Sequence, residues 1–180
     1  MKQVILLAGT GGQGVQVLGK LLAYCANMQG LQVTMDAKYS GNMRGAPSNC
    51  TVIVSDRMIG DPTERRSDHL IAFTPAALTK LLDRVVPEGT VWYDSTQAVF
   101  PEDRADLTAM SCPATQLAES LGEPRCANII MAGFLAEWMD VFDADTMRRC
   151  LDAVLAKKSH LLEQNRAAFN LGRTYARERM

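Results

Sequence analysis

The segment that decides the fold is "VILLAGTGGQGVQVLGKLL", Val4 to Leu22. Its first half belongs to "QVILLA" (Gln3–Ala8), a short apolar run with β-branched residues that glycine stops, as in a buried strand. From Gly14 the period changes. Val15, Leu18, Leu21, Leu22, Cys25 and Met28 recur at helical spacing, with Gln16, Lys20 and Asn27 opposite. Gly30 ends this helix and "LQVTMDA" (31–37) reads as a second strand, which completes a βαβ unit. Between strand and helix, Gly9, Gly11 and Gly14 form G-x-G-x-x-G, with Gly12 added. Glycine lets another group approach the backbone closely, and unpaired amides at a helix start favour an anion. Asp36, 22 residues after Gly14, stands where a ribose-binding acid of a dinucleotide site would lie. The motif therefore has two readings: a nicotinamide or flavin dinucleotide site, or a tight turn that serves only helix–sheet packing.

Downstream, the irregular segment Lys38–Asn49 is long for a connection, and such loops are commonly functional. "CTVIVS" (50–55) and "DHLIAF" (68–73) read as strands. Thr74 and Pro75 supply an N-cap and an N1 proline for the helix "AALTKLLDRV". "EGTVWYDST" holds a strand with a polar end at Asp94 and Ser95, where open α/β sheets gather ligand sites. "LTAMSC" is a last short strand, and "PATQLAESLG" a helix between Pro113 and Gly122. Beyond Gly122 the pattern is helical: an apolar core helix in "ANIIMAGFLAEWMDVF", two amphipathic ones, and "RTYARERM" as a frayed or partner-bound end. The expectation is a single domain over residues 1–180, α/β and three-layered, with a mainly parallel sheet and a helical C-terminal section.

Composition narrows the function classes. A formal net charge of −1 argues against a nucleic-acid binder, and no apolar run approaches the roughly 20 residues that span a bilayer. The apolar run at the N-terminus is too short for a signal peptide and ends in glycines, so a cytoplasmic protein is expected. The five cysteines lack C-x-x-C spacing and read as reduced, mostly buried thiols. With two histidines, the chain advertises neither a metal site nor a catalytic dyad, and no catalytic residue is assigned. Neither a hydride-transfer acid–base set nor a P-loop Lys-Ser/Thr pair accompanies the glycines. Arg44, in the glycine-bearing turn with Gly45, Ser48 and Asn49, suits bidentate capture of a phosphate, a carboxylate or a partner's acidic side chain.

Taken in order, "GTGGQGVQVLGKLLAYCA", "YSGNMRGAPSNCTVIVSD", "DHLIAFTPAAL", "VWYDST", "CPATQLAESLG", "ANIIMAGFLAEW" and "EQNRAAFNLG" cover nearly the whole chain. They resemble the gamma subunit, or gamma domain, of the 2-oxoacid:ferredoxin oxidoreductases of pyruvate, 2-oxoglutarate and 2-ketoisovalerate type. Two departures stand out: Ala46 and Pro47 follow Arg44-Gly45 where the family commonly has a second glycine, and Ser40 interrupts its tyrosine–glycine pair. Indolepyruvate oxidoreductase beta subunits share the glycine opening but carry a different segment before the arginine.

The resemblance implies a Rossmann-like module in an enzyme that converts a 2-oxoacid and coenzyme A (CoA) to acyl-CoA, carbon dioxide and two electrons for ferredoxin or flavodoxin. It implies alpha and beta partner subunits, with a ferredoxin-like delta subunit in some assemblies. Thiamine diphosphate, magnesium and iron–sulfur clusters would lie in those partners. This chain would be a non-redox subunit on the CoA side. Its binding residues would be Gly9, Thr10, Gly11, Gly12, Gln13, Gly14, Arg44, Gly45, Ser48, Asn49, Asp94 and Ser95, with Asn128 capping its helix or lining the crevice. The rival is a stand-alone NAD(H)-binding enzyme using the same glycines and Asp36.

Overall fold

The computed structural model describes residues 1–39 and 45–180. Six strands form one sheet: β1 (Lys2–Thr10), β2 (Gln32–Tyr39), β3 (Pro47–Ser55), β4 (Ser67–Ala72), β5 (Val85–Asp94) and β6 (Thr108–Cys112). The helices are α1 (Val15–Met28), α2 (Pro75–Leu81), α3 (Ala114–Ser120), α4 (Ala127–Trp138), α5 (Ala144–Val154) and α6 (Leu162–Arg177). The expected α/β class holds.

Strand order is β2-β3-β1-β4-β5-β6. Strands β1, β4, β5 and β6 are parallel, whereas β3 is antiparallel to both β1 and β2. The β1-α1-β2 unit read from the sequence therefore exists, and its two strands run the same way. However, β3 occupies the place between them. Residues Val4 to Ala8 of β1 are all buried because helices cover both sheet faces, so this strand reads as a continuous apolar run without alternation.

The two faces are unequal. On one, Ile5, Leu7, Val52, Ile71 and Trp92 pack with Leu18, Leu22, Ile130, Phe134 and Phe169 from α1, α4 and α6. On the other, Leu6, Ala8, Leu70, Ala72 and Val91 meet chiefly Ala77 and Leu78 of α2. Thr74 caps α2, its side chain accepting from the Ala77 amide, with Pro75 in the first turn as expected. Helix α4 is buried from Asn128 to Ala136, as suits a helix apolar all round.

Of the two readings of the C-terminal segment, frayed or partner-bound, fraying is corrected: helix α6 runs to Arg177, through most of that segment. Its inner face carries Phe169 together with Ala168, Gly172 and Ala176, small residues that bring its backbone close to α4 but add little to a hydropathy pattern. A Cβ on Gly172 would lie 2.0 Å from the Ile130 carbonyl oxygen, and one on Gly133 would lie 2.0 Å from that of Phe169. Arg173 and Arg177 both donate to Glu137 of α4, which ties the last turns down. No helix among the described residues is long and apolar enough to cross a membrane.

Candidate functional site

The glycine turn closes β1 and opens α1. Since α1 covers one sheet face and α2 the other, the chain leaves β1 and its neighbour β4 in opposite directions, and a crevice opens beyond their carboxyl ends. Gly14 is the N-cap of α1 with φ 74°, the left-handed region that favours glycine, and with no side chain it leaves the first amides of the helix uncapped. A Cβ there would also fall 2.4 Å from Asn128 Nδ2.

Within the turn, several polar groups serve the turn itself. Gln13 Oε1 accepts from the Thr10 amide at 2.7 Å and the Thr10 hydroxyl at 3.1 Å, while Gln13 Nε2 donates to the Phe73 carbonyl at 3.4 Å. The Gln13 amide donates to the Thr10 carbonyl at 3.1 Å. Gly11 donates to the Ala46 carbonyl at 2.8 Å and accepts from the Gly45 amide at 3.3 Å. Among the described residues, the amides of Gly12, Gly14, Val15, Gln16 and Val17 find no acceptor. These are the unpaired donors of a helix start, carrying partial positive charge.

The fold thus joins the two sequence segments that the motif reading set side by side. In register, Ser48 faces Gly9 and Asn49 faces Ala8. Gln16 Nε2 donates to the Asn49 carbonyl at 2.9 Å and to the Ser48 hydroxyl at 3.3 Å, fixing α1 on β3. Arg44 lies outside the described residues.

Two hollows flank the turn. One, of about 100 Å³, is lined by Gly9, Thr10, Asn49, Thr74 and Lys80 among others. The second, of about 210 Å³, lies between the turn and α4–α6, where Gly12, Gly14, Arg125, Asn128 and Asn165 line it. Asn128 is not a cap: buried near the start of α4, it donates from Nδ2 to the Gly14 carbonyl at 3.2 Å. Arg125 has no carboxylate within ion-pair distance among the described residues. Glu123, also in this lining, is held by Gln164 at 2.8 Å. Sequence reasoning missed Arg125, because nothing local in "GEPRCAN" points to a turn more than 100 positions away.

Two expected site residues sit differently. Asp94 is fully buried, and its carboxylate accepts from the Thr96 amide, the Thr115 amide and the Thr115 hydroxyl. It holds the start of α3 and does not open to the crevice. Ser95, beside it, is exposed, but β4 separates its strand from β1. Asp36 cannot serve the turn as a ribose acid. It pairs in register with Thr51, itself opposite Leu6, so it is level with the middle of β1 and two strand spacings (roughly 10 Å) away. All five cysteines are free and buried, and burial pushes the Cys25 and Cys50 thiols up to about 12, so both stay protonated as packing groups at neutral pH.

Residues 4–175 match the family described as pyruvate ferredoxin/flavodoxin oxidoreductase. The chain belongs to this family. Among its relatives, the ketoisovalerate oxidoreductase subunit VorA of Methanothermobacter thermautotrophicus is 31% identical over 175 residues, covering 97% of this chain and 36% of VorA. The 2-oxoglutarate synthase subunit KorC of Archaeoglobus fulgidus is 32% identical over 169 residues, 93% of this chain and 84% of KorC. The family chain described here thus spans about a third of the length of VorA and most of KorC. The gamma subunit of a keto/oxoacid ferredoxin oxidoreductase from Geobacter sulfurreducens superposes with a TM-score of 0.80 at 25% identity, over 97% of this chain and 98% of its own. The 2-oxoglutarate:ferredoxin oxidoreductase of Magnetococcus marinus, solved with 2-oxoglutarate, coenzyme A and succinyl-CoA bound, shares the fold at a TM-score of 0.87 and 24% identity. That match covers 98% of this chain and 31% of the other.

Proposed function

We propose that this chain is the gamma component of a cytoplasmic 2-oxoacid:ferredoxin oxidoreductase, forming part of the CoA side of the enzyme. The observation that carries the CoA assignment is the set of open amides at Gly12, Gly14 and the first turn of α1, facing the same hollow as Arg125 and Asn128. Coenzyme A carries a pyrophosphate and a 3′-phosphate. The amides and the α1 dipole supply fixed partial positive charge for such an anion, and Arg125 adds a mobile guanidinium at the rim. Asn128 would hold the Gly14 carbonyl away from the anion through their hydrogen bond. Gln13, Thr10 and the Gly11–Ala46 contact would keep the turn rigid when a ligand arrives. Ser48, Asn49 and Gly45 would support the turn from β3, and Arg44, next in sequence to Gly45, would add a second cation for the same ligand or for a partner chain.

In this division of labour, alpha and beta subunits carry thiamine diphosphate and magnesium, and iron–sulfur clusters pass electrons to ferredoxin or flavodoxin. Decarboxylation and electron transfer would occur in those partners. This chain would bind and orient the acyl acceptor.

The test is steady-state kinetics on the assembled enzyme with wild-type chain, Arg125→Ala and Arg44→Ala. For Arg125→Ala the KM for CoA should rise about tenfold, as loss of one charge-assisted contact implies, with kcat and the KM for the 2-oxoacid little changed. An unchanged KM for CoA in both variants would move the glycine turn to a subunit contact. An assembly without CoA-dependent oxidation of any 2-oxoacid would overturn the whole assignment.

A further inference from the structure

Three long polar side chains share the hollow between the glycine turn and α4–α6: Glu123, Arg125 and Gln164. Glu123 is the N-cap of the short turn Pro124–Cys126 that leads into α4, and Arg125 lies within that turn. The chain thus sets a carboxylate and a guanidinium two positions apart on the rim of one site. Both charges also act on the Cys126 thiol beside them: burial pushes its pKa up, Glu123 adds to the rise and Arg125 opposes it.

Opposite charges so placed attract each other, and a guanidinium paired with a carboxylate is lost to an incoming anion. Yet among the described residues no carboxylate lies within ion-pair distance of Arg125. The carboxylate is held elsewhere. Gln164 Nε2 donates to Glu123 Oε1 at 2.8 Å, across 41 positions of sequence. Gln164 stands in the first turn of α6, whose N-cap, Leu161, supplies no side-chain cap. The partial positive charge of a helix start favours a carboxylate beside it. A hydrogen bond and a helix dipole therefore draw Glu123 toward α6.

We propose that Gln164 is a positioning residue for the anion site: by holding Glu123 against the first turn of α6, it keeps that carboxylate off Arg125 and leaves the guanidinium open to a ligand phosphate. The inference rests on the CoA reading and names what sets the affinity of its site. Gln164 acts through Glu123 and Arg125 and does not itself touch the ligand.

The test is the KM for CoA of the assembled enzyme carrying Gln164→Ala, Glu123→Gln, both together, Arg125→Ala, and Arg125→Ala with Gln164→Ala. Gln164→Ala releases the carboxylate to pair with Arg125. The KM for CoA should rise about threefold, the size of one solvent-exposed ion pair, and the KM for the 2-oxoacid should not follow it. Adding Glu123→Gln removes the competing charge and should bring the KM back to the wild-type value or below. Where Arg125→Ala is already present, Gln164→Ala should add nothing, because its effect runs through that guanidinium. Simple loss of packing at the start of α6 would persist in the Glu123→Gln background, so the rescue separates positioning from structure. The inference is overturned if Gln164→Ala leaves the KM for CoA unchanged while Arg125→Ala raises it; the CoA reading then stands without it. It is also overturned if Gln164→Ala raises the KM and Glu123→Gln fails to restore it. If Arg125→Ala has no effect, Arg125 has no part in CoA binding and the role of Gln164 falls with it.

Discussion

Asn128 donates a hydrogen bond to the carbonyl of Gly14 across 114 positions of sequence. The contact joins the start of the innermost helix to the cap of α1, so the glycine turn takes its shape from α4 as well as from its own sequence.

Gly14→Ala should therefore be costly in two ways. The left-handed backbone opposes any side chain, at about 1–3 kcal/mol, and the new Cβ meets Asn128. Gly12→Ala, also at positive φ but with open space around it, should carry the strain alone. Thermal unfolding of both variants, and of Gly14→Ala combined with Asn128→Ala, separates the terms. The double variant should regain part of the loss, and strict additivity would show that the clash is absent.

Gly133→Ala gives a test in which two principles oppose each other. In a solvent-facing helix, alanine for glycine should stabilise by about 1 kcal/mol. At the α4–α6 crossing the added methyl meets the Phe169 carbonyl, part of a backbone that cannot rotate away, and overpacking of this kind costs about 1–3 kcal/mol. Denaturant unfolding should show destabilisation, and Gly172→Ala should repeat it from the other helix. A stabilised variant of either kind would mean that the crossing is looser than described.

Asp94→Ala should lower stability without touching ligand affinity. The carboxylate takes three donors from the loop after β5 and the start of α3, and truncation leaves these without an acceptor, at a cost of about 2–3 kcal/mol. Unfolding midpoints should drop while the KM for CoA in the assembled enzyme stays the same. A raised KM with an unchanged midpoint would return Asp94 to the binding set.

The acid limb of stability should carry a contribution from His69. Burial lowers its folded-state pKa below the ordinary value of 6.5, so the unfolded chain takes up the proton first. The contribution is fully present above pH 6.5 and is lost as pH falls from there through the folded pKa. Glu137 acts in the same direction at lower pH. Burial raises its pKa, but hydrogen bonds from Arg177 and Arg173 outweigh burial and hold it below the usual range, so its share is lost only as carboxylates protonate. Stability measured from pH 8 to 5 should slope downward for the wild type and less so for His69→Gln. Equal slopes would remove His69 from the account.

These residues also show how far sequence reading reaches. The strand–turn–helix at Val4–Leu22 and the Thr74-Pro75 start of α2 are written in adjacent residues, and the fold reproduces both. The place of β3 is set by pairing with strands on both sides, a choice that no local pattern encodes, and it is this choice that removes Asp36 from the turn. Arg125 reaches the site through the docking of α4, and Asp94 leaves it because Thr115 and Thr96 claim its oxygens. The end of α6 is hidden from a hydropathy pattern because beyond Phe169 its inner face is carried by Gly172 and Ala176.

The bonds between Gly11 and its neighbours Ala46 and Gly45 involve main-chain atoms only. A join of that sort is blind to the letters that spell it. Swapping glycine for alanine at position 46 alters neither donor nor acceptor. Evolutionary drift in this loop can thus run ahead of any change in shape, and the positions where drift should halt are those such as Gly14, where a single methyl has nowhere to go.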